Sequence, residues 1–496
     1  MSDAIILAID QGTTGTTVLA VDENLQVLSR GYQEFKQIYP QPGWVEHKGE
    51  DIWATVESAT RACLSSLKNE NGSLAQSRIK GIGITNQRET TCLFDDESKP
   101  LANFIVWQCK RTQNICEQLK GEGHEALFKK KTGLVLDPYF SGTKLQWLLD
   151  SDEKLRAGAE NGSVKFGTID SWLLHRLTGG KVHKTDVTNA SRTLMMDLKT
   201  CEWDDELLSL LNVPKTCLPE ITSSSEVYGA TLGLSFLDDG IPIAGIAGDQ
   251  QAALFGQGCF TPGEAKCTFG TGCFLLFNTG CEIVYSKHGL LTTVAVKLGD
   301  EVHYALEGAA FIGGAAVQWV RDMLQFVDEA PKIEDLAETV DSSGDVVFVP
   351  ALAGLGAPHW RPEARGVLAG FSRDTTQGHI ARAVLEGIAT QNRDILDAMA
   401  KEAGVLSSLK VDGGASANNL LMQFQADILD VECVRPTVVE TTALGAAALA
   451  GLAVGVFSSR QAVLDAWKED RRFKPSMSEE DRNRHLEKWD DAVRFA

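Results

Sequence analysis

Long hydrophobic runs are missing from this sequence of 496 residues. The most apolar stretch, ALGAAALAGLAVGVF from Ala443, is short of the roughly 20 residues that cross a bilayer, and its small side chains favour a tightly packed internal helix. The first apolar segment starts within a few residues of the N-terminus, which leaves no room for a secretory leader. We therefore expect a cytoplasmic protein without membrane insertion.

Basic residues are scarce relative to acidic ones, and paired metal or disulfide motifs are absent. The sequence has 47 Lys and Arg against 67 Asp and Glu, a net charge of −20, which argues against binding to nucleic acid or anionic membranes. A small anionic ligand needs only a local pocket and is not excluded. The 11 cysteines form no C-x-x-C pair and the 9 histidines show no H-x-x-x-H spacing, so reduced cysteines fit better than disulfides or a zinc site.

Two common nucleotide-binding motifs are also missing. No G-x-x-x-x-G-K-[ST] sequence is present, which excludes a Walker phosphate loop. The segment GIGITN from Gly81 lies within a strand-like run and has Asn86 where a dinucleotide fingerprint needs its third glycine. A nucleotide would therefore have to bind through a different kind of turn.

Alternating strand and helix signals predict an α/β fold. Two segments share one pattern of apolar strand, Gly-Thr turn and apolar return strand: IILAIDQGTTGTTVLAV from Ile5 and EAKCTFGTGCFLLF from Glu264. Their similarity suggests two related halves. We place the boundary near the second hairpin, which gives domains of residues 1–252 and 253–496.

Glycine-bearing turns follow four apolar strands, at Asp10–Gly15, Gly248–Gln251, Gly270–Gly272 and Asp412–Ala415. Ligands of open α/β sheets bind at the carboxyl ends of strands, so these turns can converge on one crevice. For the first turn two interpretations stay open, an ordinary hairpin or a phosphate cradle of backbone N–H groups and Thr hydroxyls.

Two acids and one ion pair stand at such strand ends. Each unit-charge pair between a bare carboxylate and a phosphate at 4 Å would cost about 4 kcal/mol at a dielectric near 20, so a carboxylate near ATP must hold a divalent cation or face the acceptor. Asp10, in a hydroxyl-rich turn, suits the metal, and Asp249 beside Gln250 suits a general base. The alternative for both is a turn-capping role. Arg88 and Glu89 are either a surface pair or a binding couple for a polyhydroxylated molecule.

Together these segments resemble those of the glycerol kinases, in the sugar-kinase group of the actin, heat-shock chaperone and hexokinase superfamily. The resemblance rests on motifs along most of the chain: DQGTT at Asp10, GITNQRETT at Gly83, NFIVWQCKRT at Asn103, GLVLDPYFSGTK at Gly133, GIAGDQQAALFGQ at Gly245, GLGAPHW at Gly354 and VDGGASANN at Val411. The longer motifs are specific to glycerol kinases, whereas DQGTT alone would be weak.

This resemblance implies two actin-like (ribonuclease H-like) α/β domains with a central cleft, the first binding the acceptor and the second the nucleotide. It implies ATP-dependent phosphorylation of glycerol to sn-glycerol 3-phosphate, with Mg²⁺ as cofactor, Asp249 as base and Asp10 at the metal. The implied glycerol contacts are Arg88, Glu89, Tyr139, Asp249 and Gln250, with Trp107 and Phe274 on the carbon side. The implied ATP contacts are Thr13, Thr14, Gly15, Thr271, Gly314, Gln318, Gly414 and Asn418.

The sequence also departs from the family pattern. Family members often have a basic residue where this chain has Thr17, which puts one phosphate contact in doubt. The segment LGLSFLDDG from Leu232 lacks the glycine- and arginine-rich character of a fructose 1,6-bisphosphate loop, and no phosphorylatable His lies between Tyr228 and Ile241. The resemblance implies a homodimer or homotetramer. Two rival functions stay open, a kinase of another polyol or sugar and a non-catalytic actin-like or chaperone-like nucleotide-binding protein.

Overall fold

The computed structural model describes residues 4–67, 78–359, 361 and 363–496. The strands of the first half are β1 (Ile5–Gln11), β2 (Gly15–Val21), β3 (Val27–Glu34), β4 (Glu46–His47), β5 (Ile79–Asn86), β6 (Cys92–Phe94), β7 (Phe104–Ile105), β8 (Lys165–Gly167), β9 (Lys184–Asp186), β10 (Met196–Asp197), β11 (Glu202–Trp203), β12 (Glu220–Thr222), β13 (Ser225–Ala230) and β14 (Pro242–Gly248). Its helices are α1 (Gly49–Ser65), α2 (Gln113–Gly121), α3 (Glu125–Thr132), α4 (Ser141–Ser151), α5 (Glu153–Asn161), α6 (Ile169–Leu177), α7 (Val187–Ala190), α8 (Asp205–Leu210) and α9 (Asp249–Gly256).

The second half continues the same alternation. Its strands are β15 (Glu264–Phe269), β16 (Cys273–Gly280), β17 (Leu291–Leu298), β18 (Glu301–Ala310), β19 (Val347–Val349), β20 (Val367–Ala369), β21 (Ser408–Asp412), β22 (Cys433–Pro436) and β23 (Glu469–Phe473). Its helices are α10 (Gly314–Trp319), α11 (Ile333–Ala337), α12 (Gln377–Ala403), α13 (Asn419–Leu429), α14 (Thr441–Ala453), α15 (Arg460–Ala466) and α16 (Glu479–Phe495), with a π-helical turn at Val320–Leu324.

Each half is built on one mixed sheet, and the two sheets share a strand pattern. The first has the order β13-β14-β5-β1-β2-β3, and the second has the order β17-β18-β16-β15-β21-β22-β23. In the first, β1 is antiparallel to β2 and parallel to β5; in the second, β15 is antiparallel to β16 and parallel to β21. The prediction of two related halves, made from the two hairpins, is therefore confirmed.

The apolar run of β1 reflects burial on both faces of its sheet. Ile5, Leu7 and Ile9 pack in a core with α1, whereas Ile6 and Ala8 pack in another core with α14. A strand covered on both faces reads as a continuous hydrophobic run rather than as an alternating one. The first strand therefore contributes to two cores, and its last two residues, Asp10 and Gln11, lead into the polar turn.

Helix α14 belongs to the C-terminal half in sequence but packs on the first sheet and against α9. A Cβ added at Gly445 would lie 1.8 Å from the Ala252 carbonyl oxygen, and one at Gly83 would lie 2.1 Å from the Ala446 carbonyl oxygen. The glycines therefore allow backbone-to-backbone packing. This confirms the prediction of a tightly packed internal helix, and no helix in the described part of the chain is long and apolar enough to span a membrane.

Candidate active site

Arg88 and Glu89 lie in the loop that follows β5 and are both buried, with exposures of 2% and 1%. The strand ends at Asn86, and Glu89 turns the chain with a left-handed φ of 60°. The interpretation of this pair as surface residues is therefore wrong. A buried guanidinium and carboxylate need partners that satisfy their charges and hydrogen bonds.

Asp249 is one of these partners. It is the first residue of α9 and directly follows β14, which lies parallel to β5, so the ends of both strands meet at one edge of the sheet. The Asp249 Oδ1 atom lies 3.2 Å from Nε of Arg88. Burial raises the pKa of Asp249 above its usual value, and this outweighs the opposing effect of the Arg88 charge. Its carboxylate is thus a stronger proton acceptor than an exposed one.

Asp10, the second acid, lies at the end of β1 at the same edge. Burial and the nearby Asp249 charge raise the pKa of Asp10 to about 7. A cation would compensate two carboxylates in one partly buried crevice, and carboxylate oxygens are ligands that Mg²⁺ prefers. The residues present therefore fit a divalent cation. Thr17 is the cross-strand neighbour of Asp10 on β2.

An aromatic corner lies beside the opening turn. The rings of Trp107 and Tyr139 meet edge to face with centroids 5.5 Å apart, and the Trp107 indole N–H donates to Thr13 Oγ1 at 3.0 Å. The buried ammonium of Lys144 donates to the carbonyl oxygens of Tyr139 and Phe140, which fixes the Tyr139 loop. Trp107, Tyr139 and the first turn are thus brought together.

Two charged residues without a predicted role complete the group, Arg192 in the family motif DVTNASRT from Asp186 and Glu307 in the family motif YALEGA from Tyr304. The guanidinium of Arg88 binds Glu307 through two hydrogen bonds, Nη1 to Oε2 at 2.6 Å and Nη2 to Oε1 at 2.9 Å. Arg192 donates to Glu89 Oε1 at 2.7 Å and to Glu307 Oε1 at 2.9 Å. A signal was present for Glu307, since a carboxylate inside the apolar strand β18 is costly unless it is paired.

The second half also reaches Gln250. Lys266 on β15 is fully buried, and its ammonium donates to Oε1 of Gln250 and, at 2.8 Å, to Thr268 Oγ1. Burial lowers the pKa of Lys266, although the Asp412 carboxylate opposes this. Phe274 is half-buried on β16, two residues from Leu276, the register partner of Glu307. Side chains two apart on a strand share a face, so Phe274 lies on the same sheet face as Glu307.

The predicted nucleotide residues lie at two turns and two helix starts. In the turns, the Gly12 N–H donates to the Gly15 carbonyl and the Gly270 N–H to the Gly272 carbonyl, each at 2.9 Å. The Gly314 N–H donates to the Gly270 carbonyl at 2.8 Å, which joins the start of α10 to the second turn. The side chain of Asn418 caps α13. Thr14, Thr271, Gly414 and Gln318 are exposed.

Comparison with known families identifies both halves. The model of the N-terminal domain of the FGGY family of carbohydrate kinases matches residues 5–256, and the model of its C-terminal domain matches residues 265–454. The chain belongs to the FGGY family of carbohydrate kinases. It is thus a phosphotransferase that acts on an alcohol group, and its fold of two actin-like α/β domains is confirmed.

Individual relatives extend over nearly the whole chain. The glycerol kinase of Myxococcus xanthus is 58% identical over 495 residues, which cover 99% of this chain and 99% of that protein. The crystal structure of Plasmodium falciparum glycerol kinase with ADP superposes with a TM-score of 0.91 at 37% identity, covering 99% of this chain and 98% of that one. The gluconate kinase of Lactobacillus acidophilus, at 23% identity and a TM-score of 0.86 over 99% of this chain and 97% of that chain, shares the fold.

Proposed function

We propose that this chain is an ATP-dependent glycerol kinase that forms sn-glycerol 3-phosphate. The observation that carries the proposal is the pairing of Arg88 with Asp249 beside Glu89 at the sheet edge. In the same site, hydrogen-bonding groups lie near the aromatic corner of Trp107 and Tyr139. Such a pocket suits a small molecule with several hydroxyls on one side and carbon on the other. The full-length similarity to glycerol kinases supports the same acceptor.

In the proposed reaction Asp249 is the general base. Its raised pKa suits it to take the proton of the terminal glycerol hydroxyl while that oxygen attacks the γ-phosphorus of ATP. Arg88 and Glu89 orient the glycerol hydroxyls together with Tyr139 and Gln250, and Trp107 and Phe274 cover the carbon side. Closure of the two halves excludes water, which would otherwise compete as a smaller acceptor.

The nucleotide is proposed to bind between the two glycine turns. Thr13, Thr14 and Gly15 of the first domain and Thr271 of the second contact its phosphates through N–H and hydroxyl groups. The remaining contacts come from Gly314, Gln318, Gly414 and Asn418. A Cβ at Gly414 would meet no atom within 4 Å, so this position is open to a ligand. We divide the chain into an acceptor-binding domain of residues 1–252 and a nucleotide-binding domain of residues 253–496.

Asp10 is the proposed ligand for Mg²⁺. When bound, the ion neutralises charge on the phosphate oxygens of ATP. A carboxyl group with a pKa near 7 in the free protein ionises fully once a cation compensates for burial and for Asp249. We also propose that the enzyme works in the cytoplasm as a homodimer or homotetramer, without nucleic-acid partners.

The test is a coupled assay of ADP release with MgATP, with and without glycerol. ADP release is expected to depend on glycerol, and Asp249→Asn is expected to reduce kcat by about 10²- to 10⁴-fold, the usual contribution of a general base. Asp205→Asn is the matched control, because Asp205 is also the first residue of a helix but is exposed. It is expected to retain wild-type kinetics.

Other outcomes distinguish the rival functions. Activity with another polyol or a sugar but not with glycerol would support the proposed phosphoryl-transfer mechanism and would show that the pocket of Arg88 and Glu89 binds that other acceptor. ATP hydrolysis that responds neither to glycerol nor to Asp249→Asn would refute the kinase proposal and favour a nucleotide-binding protein without an acceptor.

A further inference from the structure

Four charged side chains form a buried network that we call the ion cluster: Arg88, Glu89, Arg192 and Glu307. Each is at most 3% exposed. Glu307 is central, because it accepts two hydrogen bonds from Arg88 and one from Arg192. Arg192 also binds Glu89, which closes the group into a ring. Two positive and two negative charges therefore balance inside the cluster.

The members of the ion cluster come from different parts of the fold. Arg88 and Glu89 follow β5, and Arg192 lies just after α7, all in the first half. Glu307 lies on β18, the strand next to the edge strand β17 of the second sheet. The three hydrogen bonds to Glu307 therefore cross between the halves, whereas the contact of Arg192 with Glu89 and that of Arg88 with Asp249 stay within the first half.

Within the ion cluster, separation of the two sheets would break only the bonds to Glu307. Nη1 of Arg88 would keep its hydrogen bond to Gln251 Oε1 at 3.1 Å, whereas Nη2 would lose its partner and could turn towards Asp249, whose carboxylate is already 3.2 Å from Nε. Such a shift would change both the acceptor pocket and the base. In the closed arrangement Glu307 occupies both terminal nitrogens of Arg88, which fixes the plane of the guanidinium.

We propose that Glu307 and Arg192 are positioning residues of the acceptor pocket. Glu307 holds Arg88, and Arg192 holds Glu89, so that the pocket takes its binding geometry only when the two halves are closed on each other. Nucleotide binding that favours closure is thereby coupled to affinity for the acceptor. This inference rests on the proposed function, because it assumes that Arg88 and Glu89 bind glycerol.

The test compares steady-state kinetics of the full chain with its variants Glu307→Gln and Arg192→Lys. Each is expected to raise the KM for glycerol by about tenfold or more, the equivalent of one charge-assisted hydrogen bond. The affinity for MgATP in the absence of glycerol is expected to stay within about twofold, because a lost coupling affects nucleotide binding only when glycerol is bound. Glu386→Gln is the control, since Glu386 is another buried glutamate of the second half, paired with Arg382 on α12. It is expected to change neither KM.

A second readout addresses the coupling itself. Glycerol binding is measured calorimetrically with and without a non-hydrolysable ATP analogue and Mg²⁺. The analogue is expected to tighten glycerol binding to the wild type and to Glu386→Gln, and to tighten it less or not at all in Glu307→Gln. A merely structural role for Glu307 would lower thermal stability without removing this nucleotide effect.

The outcomes separate this inference from the proposed function. If the wild type phosphorylates glycerol but a folded Glu307→Gln or Arg192→Lys keeps the wild-type KM for glycerol and the nucleotide effect, the inference is wrong. If Glu307→Gln does not fold, Arg192→Lys decides, because it keeps the positive charge and loses the fork that binds two carboxylates. If the wild type does not act on glycerol, the proposed function itself fails.

Discussion

Replacing Glu307 by Gln is expected to destabilise the protein at neutral pH, in contrast to the same change at Glu386. Both glutamates are buried and both face arginines. Burial alone raises the pKa of a carboxyl group, but at Glu307 the Arg192 and Arg88 guanidiniums outweigh burial and lower the pKa to about 2. At Glu386 burial wins, and the pKa is raised. The charged form is therefore stabilised at one site and penalised at the other.

The magnitude follows from linkage between pKa and folding. Each pKa unit corresponds to about 1.4 kcal/mol, so a fall from 4.5 to about 2 at Glu307 contributes about 3 kcal/mol to stability at neutral pH. Removal of one partner of a buried ion pair typically costs about 3–5 kcal/mol, which agrees. For Glu386→Gln, the lost contact with the half-buried Arg382 is offset by the removal of a disfavoured charge, so we expect the free energy of unfolding to change by no more than about 1 kcal/mol.

The pH dependence has a definite sign. Because the pKa of Glu307 is lower in the folded than in the unfolded chain, its contribution is complete above pH 4.5 and is lost as the pH falls towards about 2. The difference between the wild type and Glu307→Gln is therefore expected to narrow to about 2 kcal/mol at pH 3.5. Differences between variants are used because the other carboxyl groups affect both proteins alike.

The assay is urea unfolding at pH 7.5 and pH 3.5, followed by tryptophan fluorescence and by circular dichroism. Coincidence of the two signals shows whether one free energy of unfolding describes both halves. Equal loss of stability in Glu307→Gln and Glu386→Gln would refute the reasoning. An unchanged stability of Glu307→Gln at pH 7.5 would refute it too, because the bonds between the halves would then contribute nothing.

Three further predictions follow from single positions, and one from the cofactor. Lys266→Met removes a cation that lowers the pKa of Asp249, so the acid limb of the pH–kcat profile is expected to move to higher pH. An unchanged acid limb would show that the charge of Lys266 does not influence the pKa of the base. Gly445→Val is expected to lower the melting temperature by several degrees or to prevent folding, because a Cβ at this position would lie 1.8 Å from a backbone carbonyl oxygen. Gly121→Ala, whose Cβ would lie in open space, is expected to leave the melting temperature unchanged in the same thermal scan. Thr17→Arg is expected to lower the KM for MgATP by adding a phosphate-binding cation, and an unchanged KM would show that this position does not face the nucleotide. Chelation of Mg²⁺ by EDTA is expected to abolish ADP release, and excess Mg²⁺ to restore it.

Much of the fold could be predicted because local sequence and tertiary packing agree. The two hairpins each combine an apolar strand with a glycine turn, and both form in the structure as β1–β2 and β15–β16. The packing of α14, a helix of the second half, on the sheet of the first half could not be predicted, because it depends on contacts between residues far apart in the chain. Its only local signal was the small side chains that permit a close approach to α9.

The residues of the candidate site likewise include some that could be predicted from the sequence and some that could not. Asp10 and Asp249 could be found because each ends an apolar strand, and parallel strands bring such ends to one edge. The partners of Arg88 and Glu89 could not be found in this way, because Glu307 lies 219 residues from Arg88 in sequence and Arg192 lies 103 residues from Glu89. Pairing between distant charges depends on the register of the second sheet, which sequence periodicity does not determine.

The balance of charge in the cleft bears on the need for a cation. Four carboxylates, those of Asp10, Glu89, Asp249 and Glu307, lie near four cationic side chains, those of Arg88, Arg192, Lys266 and Lys144. Lys144 is engaged by the carbonyl oxygens of Tyr139 and Phe140. Arg192 and two nitrogens of Arg88 are already engaged by the ion cluster, and Lys266 is engaged by Gln250. Little free positive charge is left for a triphosphate. The charge of a bound triphosphate is therefore expected to be met by a cation, for which Asp10 is the proposed ligand.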